Sequence, residues 1–140
     1  MTQAILYPVL VMILLTAVVL LRLGYGRVRY LQTQRIHPQK VANRKGASEV
    51  FAPLGSLADH FQNLLEVPVL FYVLVAFLLI VGKVDTSYLA LAWLFVAGRA
   101  AHTLIHCTYN KVRHRFVAFL LSTLVLLIMW ARFALQVLMG

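Results

Sequence analysis

Acidic residues are nearly absent from this chain: its 140 residues include four, Glu49, Asp59, Glu66 and Asp85, against 13 Lys and Arg. Charge of either sign is sparse, at 12% of residues, about half the roughly 25% usual in soluble domains. That argues against a soluble fold. Cysteine occurs once, as Cys107, which excludes an intrachain disulfide and any cysteine-cluster metal site. Its apolar flanks read as those of a small packing residue. Low-complexity segments, internal repeats and long linkers are missing, and so is any nucleic-acid recognition motif. The formal charge of +9 gathers in two loops beside apolar runs, where anionic lipid headgroups are the nearer partner; nucleic acid is not expected as one.

What fills the chain is apolar residue, at 62%. Crossing about 30 Å of hydrocarbon takes roughly 20 mostly apolar residues in a helix, and four stretches meet this, at about 3–25, 56–82, 87–109 and 115–138. The first has no basic segment before it, is too long for a signal peptide and is followed by no small-residue cleavage site. The expectation is one membrane domain over 1–140, an all-α integral membrane protein whose four transmembrane helices form an up-down bundle. The basic loop of about 26–55 carries Arg27, Arg29, Arg35, Lys40, Arg44 and Lys45, and the third loop adds Lys111, Arg113 and Arg115. Basic loops stay on the cytoplasmic side, so loops one and three are predicted there, with a bacterial inner membrane as the expected location.

Against that background "ADHFQNLLEVP", Ala58 to Pro68, is out of place, because it puts acids and an Asn at the head of a spanning helix. Asp59, Asn63 and Glu66 are spaced i, i+4, i+7 and share one face. Pro68 removes the hydrogen bond to the Leu64 carbonyl, and a kink is expected there. On the third helix Arg99, His102, His106 and Arg113 recur at steps of three, four and seven, and counting from the helix ends brings Arg99 to the depth of Glu66 and His106 to that of Asp59. Intramembrane charge costs roughly 2.5–3.5 kcal/mol per residue and is paired or lines a wet cavity.

Three uses of such facing stripes are open. They can be a structural pairing of Glu66 with Arg99, or a polar cleft for an anionic ligand. They can also be a metal site on His102, His106 and Glu66, but two histidines lacking a second carboxylate-and-histidine helix fall short of a metal signature, so no metal is expected. Tyr7, Tyr25, Tyr30, Tyr88, Trp93 and Trp130 read mostly as interfacial anchors, Arg22 and Arg132 as snorkelling side chains, and Gly24 and Gly26 as the flexible exit of the first helix.

"NLLEVP" at Asn63 to Pro68, "RAAHTLIHCTYNKVRHRF" at Arg99 to Phe116, four spans and a basic first loop together resemble the MAPEG family, the membrane-associated proteins in eicosanoid and glutathione metabolism, in a divergent bacterial-type branch. The resemblance implies a homotrimer with glutathione bound between subunits near the cytoplasmic side, its thiolate attacking lipophilic electrophiles or reducing lipid hydroperoxides. It implies that Asn63 and Glu66 contact glutathione and that Arg113 stabilises the thiolate as the catalytic residue. Arg99 also matches the family pattern, His102 and His106 stand where Tyr hydroxyls often do, and Arg29 and Arg35 would add positive charge to the binding site. The expected partners are membrane lipids, a lipophilic small-molecule substrate and copies of the chain. Asp59 stands where the family carries an Arg, and that reversal leaves a second reading open: a non-enzymatic bundle that binds lipid or serves as an accessory subunit of a larger membrane complex.

Overall fold

The computed structural model describes residues 2–139, and among them the ordered elements are all helical. Five α-helices run in the order α1 (Leu6–Thr33), α2 (Arg44–Val50), α3 (Gly55–Val81), α4 (Thr86–Cys107) and α5 (Val112–Leu138). All but α2 belong to helical segments long and apolar enough to cross a membrane. Their outer surface is studded with exposed Leu, Ile and Val, such as Leu21, Ile80 and Leu127, a face suited to lipid or to another membrane chain rather than to water.

Helix ends follow from local chemistry. Gly82 closes α3 in the left-handed conformation at φ +69°, and Lys83 N–H returns to the Leu78 carbonyl at 3.0 Å, the closing bond of a Schellman turn. Three residues later Asp85 caps α4, its carboxylate accepting from Tyr88 N–H at 2.9 Å. That leaves room only for a tight antiparallel turn. At the other end Asn110, at φ +47°, reverses the chain into α5; Asn tolerates this conformation better than most residues.

The first loop starts later than the expected position of about 26. Helix α1 continues past Tyr25 to Thr33, so Gly24 and Gly26 lie inside it rather than at its exit, as do Arg27 and Arg29. Arg35, at φ +52°, follows the helix end. The remainder folds into short turns around α2, capped by Asn43. Pro68 sits inside α3 without ending it.

The core is a column of side chains from all four long helices: Met12, Val19, Phe71, Leu74, Phe95, Val96, Leu126 and Met129. Phe71 and Phe95 meet at 4.7 Å between ring centroids. Helices α4 and α5 approach closely at Gly98, where an added Cβ would stand 2.9 Å from Ser122 Cβ. Small residues at crossings are how membrane helices reach this separation.

Several side chains assigned to the membrane interface have protein partners, and one of them, Tyr88, is buried. Arg132 forms an ion pair with Asp85 and lies 4.2 Å from the Tyr88 ring centroid. Tyr88 is fully buried and donates to Gln136 Oε1 at 2.8 Å. Trp130 donates to the Leu70 carbonyl, and Arg22 reaches the Cys107 carbonyl at 3.3 Å. In each case a polar atom on an apolar helix has a hydrogen-bond partner within the protein.

Candidate functional site

The polar residues gather at the end of the bundle that carries the basic loops. On α3 the exposed stripe is as spaced: Asp59 and Glu66 are exposed, and Asn63 is half-buried between them. Asn63 donates to the Asp59 carbonyl at 3.0 Å, and Glu66 accepts from Gln62 at 2.9 Å. The neighbouring face carries His60, Leu64, Pro68 and Phe71, all buried.

On α4 the face Arg99, His102, Thr103, His106 is buried. Arg99, fully enclosed, does not reach Glu66. Its Nη2 donates to the Asn63 main-chain carbonyl at 2.8 Å, and its guanidinium lies 5.5 Å from the Phe119 ring centroid. The Arg99–Glu66 ion pair considered from the sequence is therefore replaced by a main-chain contact, while Glu66 lies exposed with Gln62 as its partner.

Asp59, Asn63, His102 and His106 line one cavity of about 180 Å³, together with Val112, Arg115, Phe116 and Phe119. Arg115 enters from α5, where its Nη1 donates to Asn110 Oδ1 at 3.0 Å and approaches His106 Nε2 at 3.2 Å. Asp59 also lines a second cavity of about 430 Å³ with Gln62, Arg27, Arg44, Ser48 and Phe51. Arg27 stacks over Phe51 at 5.1 Å there. The first-loop cations beside the stripe are thus Arg27 and Arg44, whereas the exposed Arg29 and Arg35 line neither cavity.

Arg113 is elsewhere. It lines a separate apolar cavity of about 490 Å³ with Gly98, Ala101, Tyr109, His114 and Val117, and none of that cavity's residues lines the one holding Asn63. Within a single chain, Arg113 and the Asn63–Glu66 stripe do not share a site.

Sequence reasoning passed over His60, Ser56, Thr103 and the cavity position of Arg115. For His60 a signal existed: it falls in register with Leu64, Phe71, Leu74 and Leu78, the most apolar face of α3. Arg115 and Ser56 carry no comparable pattern, since each sits at a helix start where polar residues are ordinary.

Four spanning helices around an apolar core, with polar residues gathered at one end, define an integral membrane protein of the helical-bundle class. Comparison with known families matches the MAPEG family over residues 4–135, and the chain belongs to that family. Its members include glutathione transferases and related proteins; they generally use glutathione and are often trimeric. No curated protein and no solved structure matches the chain significantly.

Proposed function

We propose that the chain is a glutathione-dependent transferase or peroxidase acting on lipophilic electrophiles or hydroperoxides dissolved in the membrane, and that it works as a homotrimer of single-domain subunits in a bacterial inner membrane with its basic end in the cytoplasm. The observation that carries this reading is Glu66. It lies eleven residues into α3, about 16 Å along the helix, exposed on the outside of a spanning segment with Gln62 as its hydrogen-bond partner. Lipid cannot satisfy a carboxylate there, at a cost of roughly 2.5–3.5 kcal/mol. A polar ligand held against a neighbouring subunit can.

The chemistry of the surroundings fits glutathione, a tripeptide with two carboxylates and one ammonium group. Arg27 and Arg44 on one side of Asp59 suit the carboxylates through charge-assisted hydrogen bonds. Glu66 accepts from the ammonium, and Asn63 orients the peptide. Arg99, with Nε and Nη1 buried and unpartnered among the described residues, adds positive potential from behind, and His102 and His106 supply imidazole contacts. Arg113 acts on the thiol from the adjacent subunit, where its positive charge favours the thiolate, the nucleophilic form. The apolar cavity beside Arg113 receives the lipophilic substrate.

The test is calorimetric titration of the detergent-purified chain with glutathione. Saturable binding that weakens at least about tenfold in Glu66→Gln and Asn63→Ala, or about 1.4 kcal/mol each, supports the assignment. Equal binding by the variants removes these residues from the site, and no binding by the wild type removes glutathione.

A further inference from the structure

Three histidines meet inside the bundle, His60 from α3 and His102 and His106 from α4. They are 0%, 3% and 6% exposed. Ring centroids are 4.6 Å apart for His60 and His106, 5.2 Å for His60 and His102, and 5.7 Å for His102 and His106. One nitrogen from each ring lies within 4.8 Å of those of the other two.

The outward bonds of the rings dictate which nitrogens face inward. Thr103 gives its hydroxyl proton to the Arg99 carbonyl at 2.9 Å, so at 3.1 Å its oxygen accepts from His60 Nε2–H. The Arg115 carbonyl is only an acceptor, so His102 donates to it through Nδ1 at 3.0 Å. In the neutral rings this leaves His60 Nδ1 and His102 Nε2 as bare lone pairs, both buried and without a hydrogen-bond partner among the described residues. His106 Nδ1 is also buried and unpartnered among the described residues; its Nε2 stands 3.1 Å from Ser56 Oγ and 3.2 Å from Arg115 Nη1, which can only donate, so Nδ1 is free to ligate in the tautomer that gives the Nε2 proton to Ser56. Arg115, which approaches the same nitrogen, already has Asn110 as an alternative acceptor.

We propose that His60, His102 and His106 form a binding site for a divalent d-block cation such as Zn²⁺, with Asp59 as counter-charge at its rim. Three neutral imidazoles are a donor set that such cations favour. Each ring also has an outer partner for its second nitrogen, Thr103, the Arg115 carbonyl or Ser56, which is the arrangement that fixes tautomer and orientation in ligating histidines. Bonds of about 2.0–2.1 Å to a tetrahedral ion place ligand nitrogens about 3.4 Å apart, so the rings turn inward on loading. His102 and His106 line the cavity shared with Asp59 and Asn63, and the fourth coordination position opens there. The positive charges of Arg99 and Arg115 oppose the ion, and Arg115→Gln therefore tightens binding while leaving the main-chain partner of His102 in place. The site shares His102, His106 and their cavity with the glutathione site proposed above, but the metal titration below needs no glutathione and can fail or succeed separately.

The test uses the full chain in detergent, freed of any affinity tag, titrated with Co²⁺ and then Zn²⁺. One Co²⁺ per chain with the intense visible absorption of a four-coordinate ion, bleached by Zn²⁺, is expected, together with a rise in Tm at excess Zn²⁺. His60→Gln and His102→Gln abolish the absorption, and His114→Gln, altering an exposed histidine outside the cluster, preserves it. No absorption in the wild type, or full absorption in His60→Gln, overturns the site. Should the cluster variants fail to fold, electron paramagnetic resonance of Cu²⁺ bound to the wild type decides: three coupled imidazole nitrogens support the site, and one or none contradicts it.

Discussion

Arg99 Nη2 and the main-chain oxygen of Asn63 are 2.8 Å apart, so a fully buried guanidinium is held by a backbone carbonyl while its other two nitrogens have no partner among the described residues. A buried cation satisfied this poorly carries an uncompensated desolvation cost, which an apolar residue of similar volume removes. Arg99→Met is therefore expected to keep or raise Tm in detergent while weakening glutathione binding at least about tenfold. A loss of several kcal/mol in stability with unchanged binding would make Arg99 a structural residue.

Arg27 and Arg44 line the cavity beside Asp59 and Gln62. A charge-assisted hydrogen bond contributes about 1.5–3 kcal/mol, so Arg27→Ala and Arg44→Ala should each raise the Kd for glutathione by roughly ten- to a hundredfold. Arg29→Ala and Arg35→Ala, at exposed positions outside both cavities, should change it less than about threefold. Calorimetry on the four variants distinguishes the two pairs.

At the opposite end of the bundle Arg132 pairs with Asp85 and holds its carboxyl below the usual carboxylate range. A depressed folded-state pKa adds stability that is present above the unfolded value of about 4 and is lost as pH falls through the lower folded value. The pair is partly solvated, so it contributes about 0.5–1 kcal/mol. Melting curves for wild type and Asp85→Asn should differ at pH 7 and converge below about pH 4. A gap that persists in acid would place the effect in helix capping instead.

Gly98 faces Ser122 with no room for a methyl group. Gly98→Ala should cost about 1–3 kcal/mol by forcing α4 from α5, and Ser122→Gly in the same chain should recover most of it. Thermal melts of the two single variants and the double variant measure that coupling.

The spans were legible in the sequence because a run of apolar residues has one cheap fate in lipid, and the stripe Asp59, Asn63, Glu66 because helical spacing fixes which residues share a face. Partner choice was not legible. Glu66 and Arg99 match in depth, yet depth says nothing of the rotation of α3 about its axis, and that rotation turns His60 inward and Glu66 outward. The same ambiguity hid the burial of Tyr88 and the pairing of Arg132 with Asp85, since a polar tip near a span end reads alike whether it meets headgroups or a neighbouring helix. The extension of α1 to Thr33 was masked by its Arg and Gln residues, which end a hydrophobic run without ending a helix.

The decisive measurement is the ultraviolet difference spectrum of glutathione on the purified protein at neutral pH, with Arg113→Ala beside the wild type. Thiolate absorption on binding to the wild type, lost in Arg113→Ala while glutathione still binds, is the result predicted for an ionised thiol held between the Glu66 face of one subunit and Arg113 of the next. Bound glutathione that stays a thiol in the wild type, or a wild type that binds none, would contradict it.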